Sequence, residues 1–178
     1  MVILKNKDLI IRNYAKSDID DDIRWLNETN DWILLDTPWT KIEKVDPNTF
    51  RNETLAFIDS VDEQQMQNRY EIDVCEKHVG FLTVYSLEED MNKIAIGIEI
   101  CEKDYRNKGY GKLALGLFLN FLHKNGLDKV YIETYSHNLA MISCAKKVGF
   151  NVTFFGNGSY EFNGNKSSRI LMVHLADN

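Results

Sequence analysis

The residues best suited to chemistry in this 178-residue chain are Arg106-Asn107-Lys108-Gly109-Tyr110-Gly111. Glycines at 109 and 111 let phosphate oxygens approach the backbone without meeting a Cβ. The first N–H groups of a helix lack intrahelical partners and carry the positive end of its dipole, so a pyrophosphate can be held there by backbone alone. The flanking residues supply such a helix start. Ile94-Ala95-Ile96-Gly97-Ile98-Glu99-Ile100 alternates strictly, with isoleucines on one strand face, and Leu113, Leu117, Phe121 and Leu122 recur at helical spacing. Strand, glycine loop and helix therefore follow in order. A Walker-type loop would need Gly-Lys-Ser/Thr, and a dinucleotide fingerprint would need a third glycine, so neither nucleotide class fits.

A second pattern lies downstream, where the strand-like Lys129-Val130-Tyr131-Ile132-Glu133-Thr134 precedes Asn138 and an amphipathic helix ending in Val148-Gly149-Phe150. Over roughly residues 93 to 156 the two patterns together resemble the GNAT superfamily of acyl-CoA-dependent N-acetyltransferases. Arg106, Gly109 and Gly111 fall on its Arg/Gln-x-x-Gly-x-Gly/Ala pyrophosphate loop, and Asn138 with Gly149-Phe150 on its Asn-x(10)-Gly-Phe element. The Asn-x(6)-Ala-x-Lys arrangement is closest to the ribosomal-protein N-terminal acetyltransferase branch. The resemblance implies an α/β (α+β) fold with a mixed, mostly antiparallel central sheet of about six to seven strands. Helices would cover both faces, and a splay would open between the fourth and fifth strands, counting 94–100 as the fourth. It also implies acetyl-CoA as cosubstrate and no metal. Coenzyme contacts would come from Ile100, Cys101, Arg106, Asn107, Lys108, Gly109, Tyr110, Gly111, Lys112 and Asn138.

The implied reaction is direct attack of an amine on a thioester in a ternary complex. An amine of pKa near 10 arrives protonated, so the site must remove a proton, polarise the thioester carbonyl and release a thiolate. Glu99 is the candidate base, on the strand face opposite the isoleucines; the alternative is a half-exposed strand glutamate. Many relatives carry their glutamate nearer the strand start, where this chain has Ala95. Backbone N–H around Ile100 or Cys101 would meet the thioester oxygen. Many relatives place an acidic tyrosine where this chain has Ala145, so Tyr135 or a water would have to substitute. His137 and Glu133 lie beside the same strand end, each with an ordinary structural reading, and His78, His123 and His174 show no metal-like spacing.

For the acceptor, residues 17 to 37 hold Asp18, Asp20, Asp21, Asp22, Glu28, Asp31 and Asp36 against Arg24 alone. Such a field would favour a cation. The segment between the first two helices commonly lines the acceptor site in this family, so Trp32, Asp36 and Trp39 would frame a cationic amine through charge and cation–π contact. A protein N-terminus, a polyamine and an aminoglycoside fit equally, and a solvated acidic face is the plain alternative. A non-catalytic acyl-CoA sensor or an interaction module of the same fold are the competing classes.

The remaining residues are consistent with a single domain spanning 1–178, cytoplasmic, and a monomer or homodimer. No apolar run is long enough to span a membrane, and the N-terminus lacks a secretory apolar stretch. Cys75, Cys101 and Cys144 are odd in number and widely spaced, which suits reduced packing residues. With 21 basic and 27 acidic residues, the balance argues against nucleic acid. Leu9–Tyr14 reads as the first strand, with Ser17 capping a helix that presents Ile19, Ile23 and Leu26. A second helix opens at Asp46-Pro47 and runs through Phe50, Leu55, Phe57, Ile58 and Val61. Strands near 69 to 76 and 78 to 86 lead through a Glu88–Asn92 turn. Segments 150 to 155 and 168 to 175 close the sheet across Gly156-Asn157-Gly158.

Overall fold

The computed structural model describes residues 1–41, 43–60, 67–156, 158, 160–162 and 164–176. One eight-stranded sheet carries the fold. Its spatial order is β1 (Val2–Asn6), β2 (Leu9–Arg12), β3 (Arg69–Val74), β4 (Lys77–Leu87), β5 (Asp90–Ile100), β6 (Lys129–Tyr135), β10 (Arg169–Leu175) and β7 (Asn151–Phe155). A separate hairpin joins β8 (Tyr160–Phe162) to β9 (Asn165–Ser167). All neighbours are antiparallel except β5 and β6.

Six or seven strands were expected, and eight are found. The additional strand is β1, which pairs with β2 across a turn where Lys7 takes φ +52°. Val2-Ile3-Leu4-Lys5-Asn6 opens on three consecutive apolar residues and so lacks the alternation that marks a half-buried strand. The strand expected as fourth is therefore β5. The β4–β5 turn is also tighter than expected, since Leu87 already pairs with Asp90. Cys75 and Glu76 form the β3–β4 turn, both at positive φ, so Cys75 is an exposed turn residue rather than a packing one.

Helices α4 (Tyr110–Lys124) and α5 (Leu139–Lys147) cover one face, α4 lying on β2, β5 and β6. The isoleucine face of β5 meets them: Ile96 is buried, and Ile94, Ile98 and Ile100 pack around it. The core stripe of α4 is Ala114, Leu115, Phe118, Leu119 and Leu122, whereas Leu113, Leu117 and Phe121 flank it half-buried. The phase expected from sequence was displaced because this helix is apolar on most of its circumference, so periodicity alone cannot say which side meets the sheet.

The opposite face carries α1 (Ile19–Asn27) and α3 (Pro47–Ser60). Asp46 caps α3 as expected, its Oδ1 accepting the Thr49 N–H at 2.8 Å, while Val61 lies outside the described residues. Ser17 does not cap α1. A 3-10 turn at Lys16–Asp18 leads in, and the Asp18 carboxylate accepts the Ala15 N–H at 2.8 Å.

A polar layer joins α1 to the sheet. Arg12 forks to Asp18 and Asp73, with bonds of 2.6 to 2.9 Å. Arg69 links Asp22 at 2.7 Å to the fully buried Glu71 at 2.8 Å. His78 lies between Glu71 at 2.9 Å and Asp21 at 3.1 Å. Arg24 adds Asp21 and Glu102. The first helix is thus acidic because it docks on cations.

Candidate active site

Strands β5 and β6 share a single paired position, Ala95 with Tyr131, and diverge beyond it. The C-terminal end of β5 is thereby freed from β6 and leads through a 3-10 turn at Lys103–Tyr105 into the 106–111 loop and α4. Gly109 takes φ +88° at the N-cap of α4, a conformation that excludes most side chains, and a Cβ there would meet nothing within 4 Å. Asn107, also left-handed at φ +60°, Lys108 and Gly109 are exposed, with Tyr110 and Gly111 half-buried behind them. The open backbone at the start of a 15-residue helix fits a polyanion. Lys112 and Lys147 stand close enough to oppose the rise that burial imposes on the Cys144 thiol, so cations from α4 and α5 flank the same helix end. Lys147 was not anticipated, because only tertiary packing brings α5 alongside the loop.

Arg106 is placed at the loop, but its guanidinium is engaged within the protein. Its Nε donates to the Ile100 carbonyl at 2.8 Å and Nη2 to the Cys101 carbonyl at 2.7 Å. The fork then grips Asp31 at 2.7 and 3.0 Å, holding the Asp31 carboxyl below the usual carboxylate range. Arg106 therefore ties the end of β5 to the segment after α1. Asn138 is likewise occupied: its Oδ1 caps α5 by accepting the Met141 N–H at 3.0 Å, and its Nδ2 donates to Asp36 at 3.0 Å.

Glu99 lies on the face of β5 opposite the isoleucines, directly across from Phe81. Its carboxyl makes no hydrogen bond or ion pair with any described residue. Burial pushes it up to about 8; the neighbouring Asp36 charge adds to the rise and Arg106 opposes it. Asp36, at the end of α2 (Ile33–Asp36), accepts from Thr134 at 3.1 Å as well as from Asn138. The segment containing Asp31, Asp36 and Trp39 thus bridges from the loop to β6. Ala95, where many relatives carry their glutamate, is fully buried and cannot be replaced by an acid without displacing core.

Trp39 stacks on Tyr160, ring centroids 4.5 Å apart, and meets Tyr135 edge-on at 4.7 Å and His137 at 5.6 Å. Burial raises the Tyr135 hydroxyl above the usual phenol range, with its bond to Tyr160 and the charges of Glu133 and Asp36 adding to the effect. Tyr85 on β4 is raised by burial and then by Glu133, Asp36 and Glu99, opposed by Arg169, and so belongs to the same cleft. Tyr85 and Tyr160 were both missed, one on a strand with no motif and the other on the unexpected hairpin. Glu133 is paired with Arg169. Cys101 and Ala145 are core residues, at 1% and 0% exposure. The missing-tyrosine position is thus a packing position in this chain.

The acidic field expected over residues 18 to 36 is largely neutralised inside the protein. Asp18, Asp21 and Asp22 join the polar layer, Asp20 pairs with Arg51 of α3, and Asp31 pairs with Arg106. Asp36 remains as the acid of that stretch facing the cleft. Among the described residues, no group of three or more histidines, cysteines or acids is placed to hold a metal, and no helix is long and apolar enough to cross a membrane.

A glycine loop at a helix start, beside a parallel strand pair that splays open, is the arrangement that the resemblance to acyl-CoA-dependent acetyltransferases implies. The family model for the acetyltransferase (GNAT) domain matches residues 8–151, and the chain belongs to that family. Similar solved structures include a RimL ribosomal L7/L12 α-N-protein acetyltransferase in complex with coenzyme A, 14% identical with 98% of each chain covered and a TM-score of 0.77. The acetyl transferase from Salmonella typhimurium that modifies the N-terminal serine of L7/L12 is 15% identical, over 99% of this chain and 100% of that one, at 0.74. Spermidine N-acetyltransferase from Vibrio cholerae, in complex with coenzyme A and spermine, is 16% identical over 96% of each chain, at 0.71. At such identities the likeness establishes the fold. No curated protein sequence matches the chain.

Proposed function

We propose that this chain transfers an acetyl group from acetyl-CoA to a primary amine by direct attack within a ternary complex. The observation that carries the reading is a half-buried, unpartnered carboxyl, Glu99, on the strand that leads from the splay into an open glycine loop at a helix start. The backbone of 107 to 111 and the charges of Lys108, Lys112 and Lys147 would hold the pyrophosphate. Arg106 would serve the loop as a brace. Asn138 would shape the far side of the splay through its cap and its bond to Asp36.

Glu99 takes the proton that the ammonium must lose, a task for which a base titrating near neutrality is suited. Backbone N–H at Ile100 or Cys101 polarises the thioester carbonyl. A thiolate is a tolerable leaving group, with a thiol pKa of about 8.5 by analogy with cysteine, so a strong acid is dispensable. Tyr135 is the candidate donor, since it keeps its proton at neutral pH. Trp32, Asp36 and Trp39 line the acceptor side, Asp36 supplying charge close to Glu99.

The test is calorimetric titration with coenzyme A, for the wild type and for Gly109→Val, together with thiol release from acetyl-CoA over a panel of amines. Coenzyme binding that Gly109→Val weakens, with amine-dependent thiol release, is expected. Binding without release to any amine marks an acyl-CoA sensor instead. Absence of binding removes both readings.

A further inference from the structure

Ile170 and Met172 of β10 turn into the core, which sends Leu171, Val173 and Leu175 to the opposite side of the sheet. There, with Leu87, Tyr131 and Phe154, they line a groove of about 670 Å³ to which no helix contributes a residue. Sheet faces this apolar are ordinarily packed on a second layer, yet Leu175 is 56% and Phe154 49% exposed. Val152 and Phe155 on the edge strand β7 are exposed beside them. The β4–β5 turn forms one wall of the groove through Leu87, Glu89 and Lys93, and it carries Met91, at 69% the most exposed residue of this group. Glu88 is exposed on the same turn, and Lys129 is exposed on the groove's far wall, opposite Leu175. Neither makes an ion pair with any described residue.

We propose that this face is a two-fold interface between copies of the chain, in which the β4–β5 turn of each enters the groove of the other, Met91 filling it and Glu88 meeting Lys129. The proposal does not depend on the acetyl-transfer reading. Three observations favour a second copy as the occupant. The turn and the groove are neighbours on one chain, so a two-fold axis between them satisfies both contacts at once, as an isologous interface requires. The charges are complementary, an unpaired acid on the inserted turn and an unpaired cation on the wall that receives it. The area is sufficient: Met91, Val152, Phe154, Phe155 and Leu175 leave on the order of 500 Å² of apolar surface in water on each chain, and covering two such patches removes about 1,000 Å², the least expected of a specific interface. The groove also lies at the N-terminal ends of the parallel strands β5 and β6, whereas the 106–111 loop follows the C-terminal end of β5. Pairing there leaves the loop of each copy open.

The experiment is sedimentation velocity on the full chain over a range of about 1 to 100 μM, because a dimer's population depends on protomer concentration. The wild type should sediment as a dimer within that range. Met91→Asp should weaken dimerisation about thirtyfold or more, since each dimer loses two buried apolar anchors. Glu88→Lys and Lys129→Glu should each weaken it about tenfold by setting like charges against one another, and the two together should restore it to within about threefold. All three residues are exposed, so each monomer should melt as the wild-type monomer does at high dilution; should Met91→Asp not fold, the charge exchange carries the test. A wild type that stays monomeric throughout overturns the proposal and leaves the groove to another protein or to water. A dimer indifferent to Met91→Asp is built on another surface and overturns it as well. Failure of the charge exchange to restore dimerisation overturns this docking.

Discussion

Glu99→Gln removes a proton acceptor while keeping the shape of the side chain, and its effect should depend on pH in a way the site dictates. Burial holds the Glu99 carboxyl at about 8. At pH 7 roughly one molecule in ten then carries the carboxylate, and at pH 9 roughly nine in ten. A general base is worth about 100-fold when ionised. The ratio of wild-type to variant kcat/KM should therefore be about 100 at pH 9 and shrink to about 10 at pH 7. Thiol release from saturating acetyl-CoA, measured from pH 6 to 9 with one amine, tests this directly. Dividing one enzyme by the other at each pH cancels the acceptor's own titration. A ratio near one, or a large ratio that does not change with pH, would refute the assignment. Stability supplies an independent check with a definite sign. Because the folded-state value is raised, the folded protein holds a proton that the unfolded chain releases between 4.5 and about 8. That contribution is full below 4.5 and is lost as pH rises through 8. Glu99→Gln should accordingly melt higher than the wild type at pH 9 and close to it at pH 4.

Asp36→Asn keeps an acceptor for Thr134 and Asn138 but removes the charge that helps raise Glu99, so the rising limb of the kcat/KM profile should move to lower pH; an unmoved limb would dissociate Asp36 from the base. Arg106→Ala should cost about 2 to 4 kcal/mol in urea unfolding, because two backbone carbonyls and Asp31 lose a charged donor together, and Arg106→Lys should recover little of it, lacking the fork. His78 is raised because its bonds and charges from Glu71 and Asp18 outweigh burial, which alone would lower it. Its contribution is therefore present below 6.5 and lost as pH rises through the folded value, so His78→Gln should cost about 3 kcal/mol at pH 6 and progressively less in alkaline melts.

The parts of this protein that its sequence determined alone are those governed by local rules. Strict alternation made 94–100 a strand, Gly109 and Gly111 marked the start of α4, and Asp46-Pro47 opened α3, because each depends on neighbours within a few residues. The splay was legible only through the family resemblance, and the β1 strand and β8–β9 hairpin not at all, since β1 does not alternate and strands of three residues are defined by their partners. Charge shows the divide most clearly. Counting acids along residues 17 to 37 suggested an open negative field, yet Arg12, Arg69 and His78 arrive from distant strands to neutralise Asp18, Asp22 and Asp21. Arg106, read as a phosphate ligand, instead grips Asp31 across the fold. Whether a charged side chain meets water, a ligand or a partner is decided by what packs against it, because burying an unpaired charge costs more than any local preference can supply, and that pairing exists only once strands and helices distant in sequence have come together.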